Sequence, residues 1–298
     1  MFDTIPALDC AGRLLKLDRP RILGVVNVTP DSFSDGGAHD DVDAAVAHGL
    51  QLVSEGADAL DVGGESTRPG AAEVPVELEI ARVVPVIERL VRETTVPIAI
   101  DSSKPDVMRA AIAAGAGIIN DVFALRRDGA LEAARDLGVP VILMHMQGEP
   151  RSMQEAPQYD DVMGEVRRFL ADRLFACELA GIPKSRLVVD PGFGFGKTLE
   201  HNLLLLAGLE RFADLGVPLL AGMSRKRMIG ELTGRGIRER AVGSVAAHLI
   251  AAQRGAMLLR VHDVAPMRDA LRVWDAVRTR TSAPKAMAPT ASRWPDDE

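Results

Sequence analysis

Residues 97–121 read Pro-Ile-Ala-Ile-Asp-Ser-Ser-Lys-Pro-Asp-Val-Met-Arg-Ala-Ala-Ile-Ala-Ala-Gly-Ala-Gly-Ile-Ile-Asn-Asp. An almost unbroken apolar run at 97–101 gives way to an amphipathic segment at 105–114 and then to a second apolar run at 117–121. Strands covered on both faces lose the alternation of a half-exposed sheet, so each run reads as a buried parallel strand. Pro105 suits the first turn of a helix, where its missing N–H costs nothing, and Ser102 or Ser103 is placed to cap it. The stretch is one strand–helix–strand unit, and its strands end in Asp101 and in Asn120-Asp121.

The unit recurs in both directions. Apolar runs at 22–27, 59–62, 97–101, 117–121, 140–145, 186–190, 217–221 and 256–261 make eight strands. Helical periodicity fills 41–55, 77–94, 105–114, 129–137, 159–180, 199–209, 238–254 and 266–278. Eight such units predict an α/β fold of the closed (β/α)8 TIM-barrel type, in a single domain. An open doubly wound sheet expects a Gly-rich dinucleotide turn after its first strand, and none follows Asn27. Residues 8–17 predict a short hairpin around Gly12 that plugs the barrel bottom. The expected division is 1–20 for this plug, 21–280 for the barrel and 281–298 for a flexible tail, rich in Ala, Pro, Ser and charge.

Composition narrows the function. The chain has 298 residues, with 35 Lys+Arg against 42 Asp+Glu and a net charge of −7. Nucleic-acid binding usually needs a basic domain, and anionic membranes a basic patch, so neither partner is expected. No stretch approaches the ~18 consecutive apolar residues of a spanning helix, and residues 1–20 lack a signal-peptide core. Two cysteines, Cys10 and Cys177, cannot build a disulfide scaffold or a Cys-based zinc site. The expected location is the cytoplasm, with both thiols reduced.

In barrels of this kind the chemistry lies where strands end. Those ends carry Asn27, Asp61 (with Glu65-Ser66-Thr67-Arg68 beyond), Asp101, Asn120-Asp121, His145, Asp190, and finally Arg260 and His262. Ser224-Arg225-Lys226-Arg227 follow the seventh strand. One such Asp caps a helix as readily as it touches a ligand; a full rim of them makes a site. Asp101, Asn120 and Asp190 form an acceptor-rich half that suits a planar, donor-rich partner such as an amidine or guanidine edge. Arg68, Arg225, Lys226, Arg260 and His262 form a cationic half that suits phosphate or diphosphate.

The run Gly192-Phe193-Gly194-Phe195-Gly196-Lys197-Thr198 is not a P-loop. That motif needs four residues between its first Gly and the Gly-Lys pair, and the required position is Pro191. A tight loop that lets backbone approach a ligand, with Phe195 as a wall, fits better. Gly36-Gly37 and Gly63-Gly64 mark flexible loops that could act as lids. His39, His48, His201 and His248 fall in helical patterns, His145 braces the loop after strand five, and no nucleophilic triad is legible.

Five longer motifs add a family. Gly24-Val-Val-Asn27-Val-Thr-Pro-Asp-Ser-Phe33-Ser-Asp-Gly-Gly37 and Asp61-Val-Gly-Gly-Glu-Ser-Thr67-Arg68-Pro69-Gly70 come first. Asp190-Pro-Gly-Phe-Gly-Phe195-Gly-Lys197, Ser224-Arg225-Lys226 and Arg260-Val-His262-Asp-Val264 follow. Together they resemble the dihydropteroate synthase family of pterin-binding barrels, over residues 22–277. The resemblance implies a transferase of folate biosynthesis that condenses 6-hydroxymethyl-7,8-dihydropterin diphosphate with p-aminobenzoate, forms 7,8-dihydropteroate and releases diphosphate. It also implies sulfonamide-like mimics of p-aminobenzoate as ligands, and a homodimer through the later helices, where 238–254 carries an Ala-rich face.

The resemblance assigns roles residue by residue. Asp101, Asn120 and Asp190 hold the aminopyrimidine edge of the pterin, Lys226 meets its carbonyl, and Arg260 stacks over the ring. Asn27 is the ligand of a Mg2+ beside the diphosphate, and Thr67, Arg68, Arg260 and His262 anchor that group. Phe33, Pro69, Phe195 and Lys226 line the p-aminobenzoate pocket, with Ser224 nearby. Asp101, Asp190, Lys226 and Arg260 act in the chemical step, with the two carboxylates stabilising a cationic pterin. Departures are small: Arg227 stands where many relatives carry Ser, Ser102 replaces a common Thr, and Phe123 stands where a smaller or charged residue is frequent. Two alternatives share the acceptor set: a pterin-binding methyltransferase, disfavoured by Ser224-Arg225-Lys226 and Phe33, and a non-catalytic pterin binder, disfavoured by intact Asn27, Arg260 and His262.

Overall fold

The computed structural model describes residues 6–28, 38–66, 73–148, 153 and 157–281. Phe33, Gly36-Gly37, Thr67, Arg68, Pro69 and residues 282–298 of the expected tail lie outside the described residues. The chain opens with an antiparallel hairpin of β1 (Ala7–Cys10) and β2 (Arg13–Lys16). Eight parallel strands follow: β3 (Arg21–Asn27), β4 (Ala59–Gly63), β5 (Ile98–Asp101), β6 (Ile118–Asp121), β7 (Val141–Met144), β8 (Leu187–Asp190), β9 (Leu220–Ala221) and β10 (Leu258–Val261). They alternate with α1 (Ala38–Ser54), α2 (Val76–Glu93), α3 (Pro105–Ala113), α4 (Ala130–Leu137), α5 (Val162–Leu179), α6 (Leu199–Ala207), α7 (Arg227–Thr233), α8 (Ala241–Gln253) and α9 (Val264–Thr281). In space the strands run β8-β7-β6-β5-β4-β3-β10-β9. A parallel bridge between Val189 and Leu219, with Val189 N donating to Pro218 O at 3.0 Å, joins the two ends into the expected TIM barrel.

The strand runs are continuously apolar because each face has its own core. Outward side chains such as Ile22, Leu60, Ile100, Ile119, Leu143, Val189 and Leu259 pack under the helices. Inward, each strand gives one residue to a lower tier: Leu23, Ala59, Ala99, Ile118, Ile142, Val188, Leu220 and Leu258. Leu8, Cys10, Leu15 and Leu17 close that tier from below in one buried cluster. The hairpin turns through Ala11 (φ 54) and Gly12 (φ 84), the left-handed pair that a tight hairpin requires. It seats so closely that a Cβ on Gly117 would lie 2.4 Å from Cys10 O. The barrel is sealed at this end and opens only at the other.

Some expectations change. β9 spans two residues rather than five, since Pro218 has no N–H to give a ladder. The short helix α7 has no counterpart among the expected helices, and α9 ends at Thr281, the first residue of the expected tail. Neither Ser102 nor Ser103 caps α3: Lys104 is the N-cap residue, and Ser102 Oγ instead accepts from Lys104 N at 3.3 Å. Gly63-Gly64 is no loose hinge. Gly63 ends β4, and a Cβ on the buried Gly64 would meet Val83 Cγ1 at 2.8 Å, so the glycine lets α2 pack close.

Candidate active site

Side chains on a strand alternate, so the residue two beyond each lower-tier position also points inward. From Ala59, Ala99, Ile118, Val188 and Leu258 that step reaches Asp61, Asp101, Asn120, Asp190 and Arg260. The polar tier thus rests directly on the sealed floor, on the open side of the barrel.

Arg260 crosses this tier. Its Nε donates to Asp61 Oδ2 at 2.5 Å and its Nη2 to Asp101 Oδ2 at 2.7 Å. Asn120 Nδ2 donates to the same Asp61 oxygen at 3.0 Å. Burial disfavours the charge on Arg260, but the carboxylates of Asp61 and Asp101 outweigh it and raise the guanidinium above its ordinary value. Burial pushes Asp101 up to about 7 against the pull of Arg260, with Asp61 and Glu79 adding like charge. Burial also raises Asp190, opposed by Lys226 and by the Gly192 N–H.

Asp190 and Lys226 meet at the glycine-rich loop. Asp190 Oδ1 accepts from Gly192 N at 2.7 Å, and Lys226 Nζ donates to Phe193 O at 2.6 Å. The Lys226 ammonium sits 4.5 Å from the centre of the Phe195 ring, within cation–π range. Burial brings Lys226 down to about 8, against the opposing pull of Asp190. The close approach that the glycines allow is to protein: a Cβ on Gly192 (φ 68) would fall 1.9 Å from His145 O, and one on Gly196 (φ 62) 2.5 Å from Gln147 O.

The remaining cations divide. His262 Nδ1 and Ser224 Oγ share a hydrogen bond of 3.0 Å, and His262 N also donates to that oxygen at 3.1 Å. Arg225, expected in the cationic half, instead grips Asp263 through Nε at 2.9 Å and Nη2 at 2.5 Å. Its φ of 57 is held by Arg225 N donating to Ser244 Oγ at 2.9 Å, so the residue shapes the loop that presents Ser224 and Lys226. Arg227 opens α7, pairs with Glu231 and leaves its side chain 82% exposed. His248, buried and held near 4 by burial, accepts from Met223 N at 3.1 Å and braces the same loop. Asp121 belongs to its own turn, accepting from Phe123 N at 2.8 Å and Leu125 N at 2.7 Å.

Two further groups belong to the site. In the sequence Asp61 is only a strand end, although period-two alternation places it inward. Lys104 carries no sequence signal at all: its ammonium binds Glu65, Glu79 Oε2 at 2.6 Å and Val74 O at 2.7 Å. It thereby ties residues on both sides of the stretch carrying Thr67, Arg68 and Pro69. The meeting of Glu65, Glu79 and Lys104 depends on the fold.

Asn27, half-buried at the end of β3 beside Gly63, offers a neutral amide oxygen at the mouth. Among the described residues no group of three or more His, Cys, Asp or Glu could hold a metal. A hard ion that keeps its waters and takes phosphate oxygens needs no such cage, so Asn27 fits Mg2+ only alongside a phosphorylated ligand.

Residues 23–262 match the family model described as pterin binding enzyme. A curated relative from Escherichia coli (strain K12), named dihydropteroate synthase, is 54% identical over 265 residues, covering 89% of this chain and 94% of the relative. A Xanthomonas albilineans dihydropteroate synthase solved with 4-aminobenzoic acid superposes with a TM-score of 0.89 at 66% identity, covering 94% of this chain and 100% of that one. The same enzyme solved with 7,8-dihydropteroate gives a TM-score of 0.86 at 63% identity, with the same coverage.

Proposed function

The chain belongs to the pterin-binding enzyme family, within its dihydropteroate synthases, and from that premise we propose how its own residues carry the reaction. It is a transferase: the pterinylmethyl group of 6-hydroxymethyl-7,8-dihydropterin diphosphate passes to the amine of p-aminobenzoate, giving 7,8-dihydropteroate and diphosphate. The observation that carries the residue-level reading is the polar tier on the sealed floor, where Asp61 and Asp101 hold one guanidinium between them and Asn120 donates to Asp61.

Asp101, Asn120 and Asp190 accept from the aminopyrimidine edge, Lys226 donates to the pterin carbonyl, and Arg260 packs over the ring. Thr67, Arg68, Arg260 and His262 anchor the diphosphate. Phe33, Pro69, Phe195, Lys226 and Ser224 hold the arylamine. The methylene C–O bond breaks with its electron pair leaving on diphosphate, and the positive charge spreads into the pterin. Asp101 and Asp190, fixed and shielded from water, stabilise that cation as it forms. The arylamine lone pair then closes the C–N bond and the ammonium proton is lost. Asn27 would hold a Mg2+ beside the diphosphate, and that ion would neutralise charge on the leaving group.

Exposed apolar side chains on α6, α7, α8 and the turn before α8 (Leu204, Leu232, Ile237, Val242 and Ile250) support a homodimer through these elements. No helix among the described residues is long and apolar enough to cross a membrane. The two buried free cysteines are in keeping with a cytoplasmic protein.

The deciding experiment measures diphosphate release from the dihydropterin diphosphate, with and without p-aminobenzoate, in Mg2+ and in a chelator. Release that depends on both, matched by dihydropteroate, is the expected result. Release that yields no dihydropteroate when p-aminobenzoate is present would overturn the synthase reading, and release undiminished by the chelator would overturn the Mg2+ assignment.

A further inference from the structure

Asp61 is sealed from solvent (0% exposed) and has no part in the mechanism above. Its ladder neighbours are Val25 and Ala99, whereas Asp101 sits beside Gly63 and Asn120. One oxygen, Oδ2, accepts from both Asn120 Nδ2 and Arg260 Nε, while Oδ1 has no partner among the described residues. A carboxylate can only accept, so Asn120 must turn its amide nitrogen down towards Asp61 and its Oδ1 branch away from it. Arg260 can only donate, and with Nε on Asp61 and Nη2 on Asp101 its plane is fixed at two points.

We propose that Asp61 is a positioning residue that sets the hydrogen-bond polarity of the pterin floor: by capturing Asn120 Nδ2 and Arg260 Nε on one oxygen, it makes Asn120 Oδ1 an acceptor for the ligand. Selectivity for a 2-amino ring over the same ring lacking that amine then depends on a side chain that touches neither. The proposal rests on the pterin reading above.

It separates an acceptor from a charge. Asp61→Asn keeps one oxygen, which donor-only Arg260 draws to the Oδ2 position, so Asn120 stays in place. Asp61→Leu, similar in size, offers no acceptor and frees the amide to flip. The experiment measures Kd for a 2-amino-4-oxopteridine and for its 2-deamino counterpart on the wild type and both variants, with KM for p-aminobenzoate alongside. A site built to bind a donor rejects the analogue lacking it by orders of magnitude. We expect Asp61→Leu to cut the preference about tenfold or more with KM for p-aminobenzoate nearly unchanged, and Asp61→Asn to keep most of it. Unchanged preference in Asp61→Leu, or equal loss in both variants, overturns the proposal. A wild type that does not prefer the 2-amino ring overturns the pterin reading and this proposal with it.

Should Asp61→Leu fail to fold, the wild type carries the test. The Asn120 side-chain NH2, identified by its loss in Asn120→Ser, should show one proton protected from solvent exchange before any pterin is added. Two freely exchanging protons overturn the proposal.

Discussion

Lys197 Nζ and His145 Nδ1 share a hydrogen bond of 2.9 Å, although 52 residues separate them in the chain. The same nitrogen donates to Gly192 O and Phe195 O, both at 2.9 Å. Burial pulls Lys197 well below the ordinary lysine value, and burial with the nearby Lys197 charge brings His145 to about 2. Either protonation state satisfies every contact: two N–H bonds serve the carbonyls, and the remaining position donates an N–H to the imidazole Nδ1 or accepts its Nδ1–H through a lone pair. A buried lysine without a bound counterion is thereby accommodated, and it pins the loop carrying Asp190 and Phe195 to the end of β7.

Lys197→Met leaves two carbonyls and an imidazole nitrogen without this partner, a loss of about 3 kcal/mol. KM for p-aminobenzoate should rise, because the Phe195 wall and the Lys226 above it lose their fixed loop. Burial lowers the folded lysine below its unfolded value, so as pH rises the folded state gives up this proton first and the residue's contribution to stability grows towards the ordinary lysine value. Urea melts at neutral and alkaline pH should show that slope in the wild type and lose it in the variant; equal slopes would refute the lowered lysine.

The eight strands are legible in the sequence because a barrel covers both faces of each, and a short run without alternation, such as 117–121 with its polar end, suits a buried strand better than a helix. Asp101, Asn120, Asp190 and Arg260 are legible because polarity returns where a run ends. Arg225 is not: nothing in Ser224-Arg225-Lys226 distinguishes a guanidinium facing the mouth from one paired with Asp263, since that pairing depends on how two loops meet. Likewise α7 is seven residues with no capping side chain, too short for periodicity to reveal.

Gly117→Ala tests the plug. Its Cβ would lie 2.4 Å from Cys10 O and 3.1 Å from Cys10 Cα, backbone that cannot swing aside. The hairpin must lift or β6 must shift, at about 1–3 kcal/mol for an overpacked contact. The site lies at the other end of the barrel, so kcat and KM measured well below the transition should stay close to wild type while Tm falls by several degrees. A lost kcat in a fully folded variant would show that the floor is not mechanically separate.

Asp101→Asn keeps an oxygen for Arg260 Nη2 and removes the charge that faces the developing pterin cation. A loss of about 3 kcal/mol of transition-state stabilisation lowers kcat roughly a hundredfold. Stability should move the other way. Asp101 has a folded value near 7, above that of an unfolded carboxyl, so ionising it costs the folded state progressively as pH rises between them. Above neutral pH the variant should melt higher than the wild type, and a lower melting point there would contradict the burial argument.

The pH dependence of kcat/KM for the dihydropterin diphosphate follows from two groups in the free enzyme. Asp101 must be ionised to accept from the pterin, and burial has raised it to about 7, so activity climbs through that value. Lys226 must carry its proton to donate to the pterin carbonyl, and burial has lowered it to about 8, so activity falls beyond. The profile should be a narrow bell between these limbs. Asp101→Asn should erase the acid limb and Lys226→Met the alkaline one, each leaving the other in place at a lower maximum. Because Asp101 and Lys226 interact, each deletion should also displace the surviving limb slightly: downward for Lys226 once its carboxylate neighbour is gone, and upward for Asp101 once the ammonium is gone. A surviving alkaline limb in Lys226→Met would assign that proton to another group and remove Lys226 from the carbonyl.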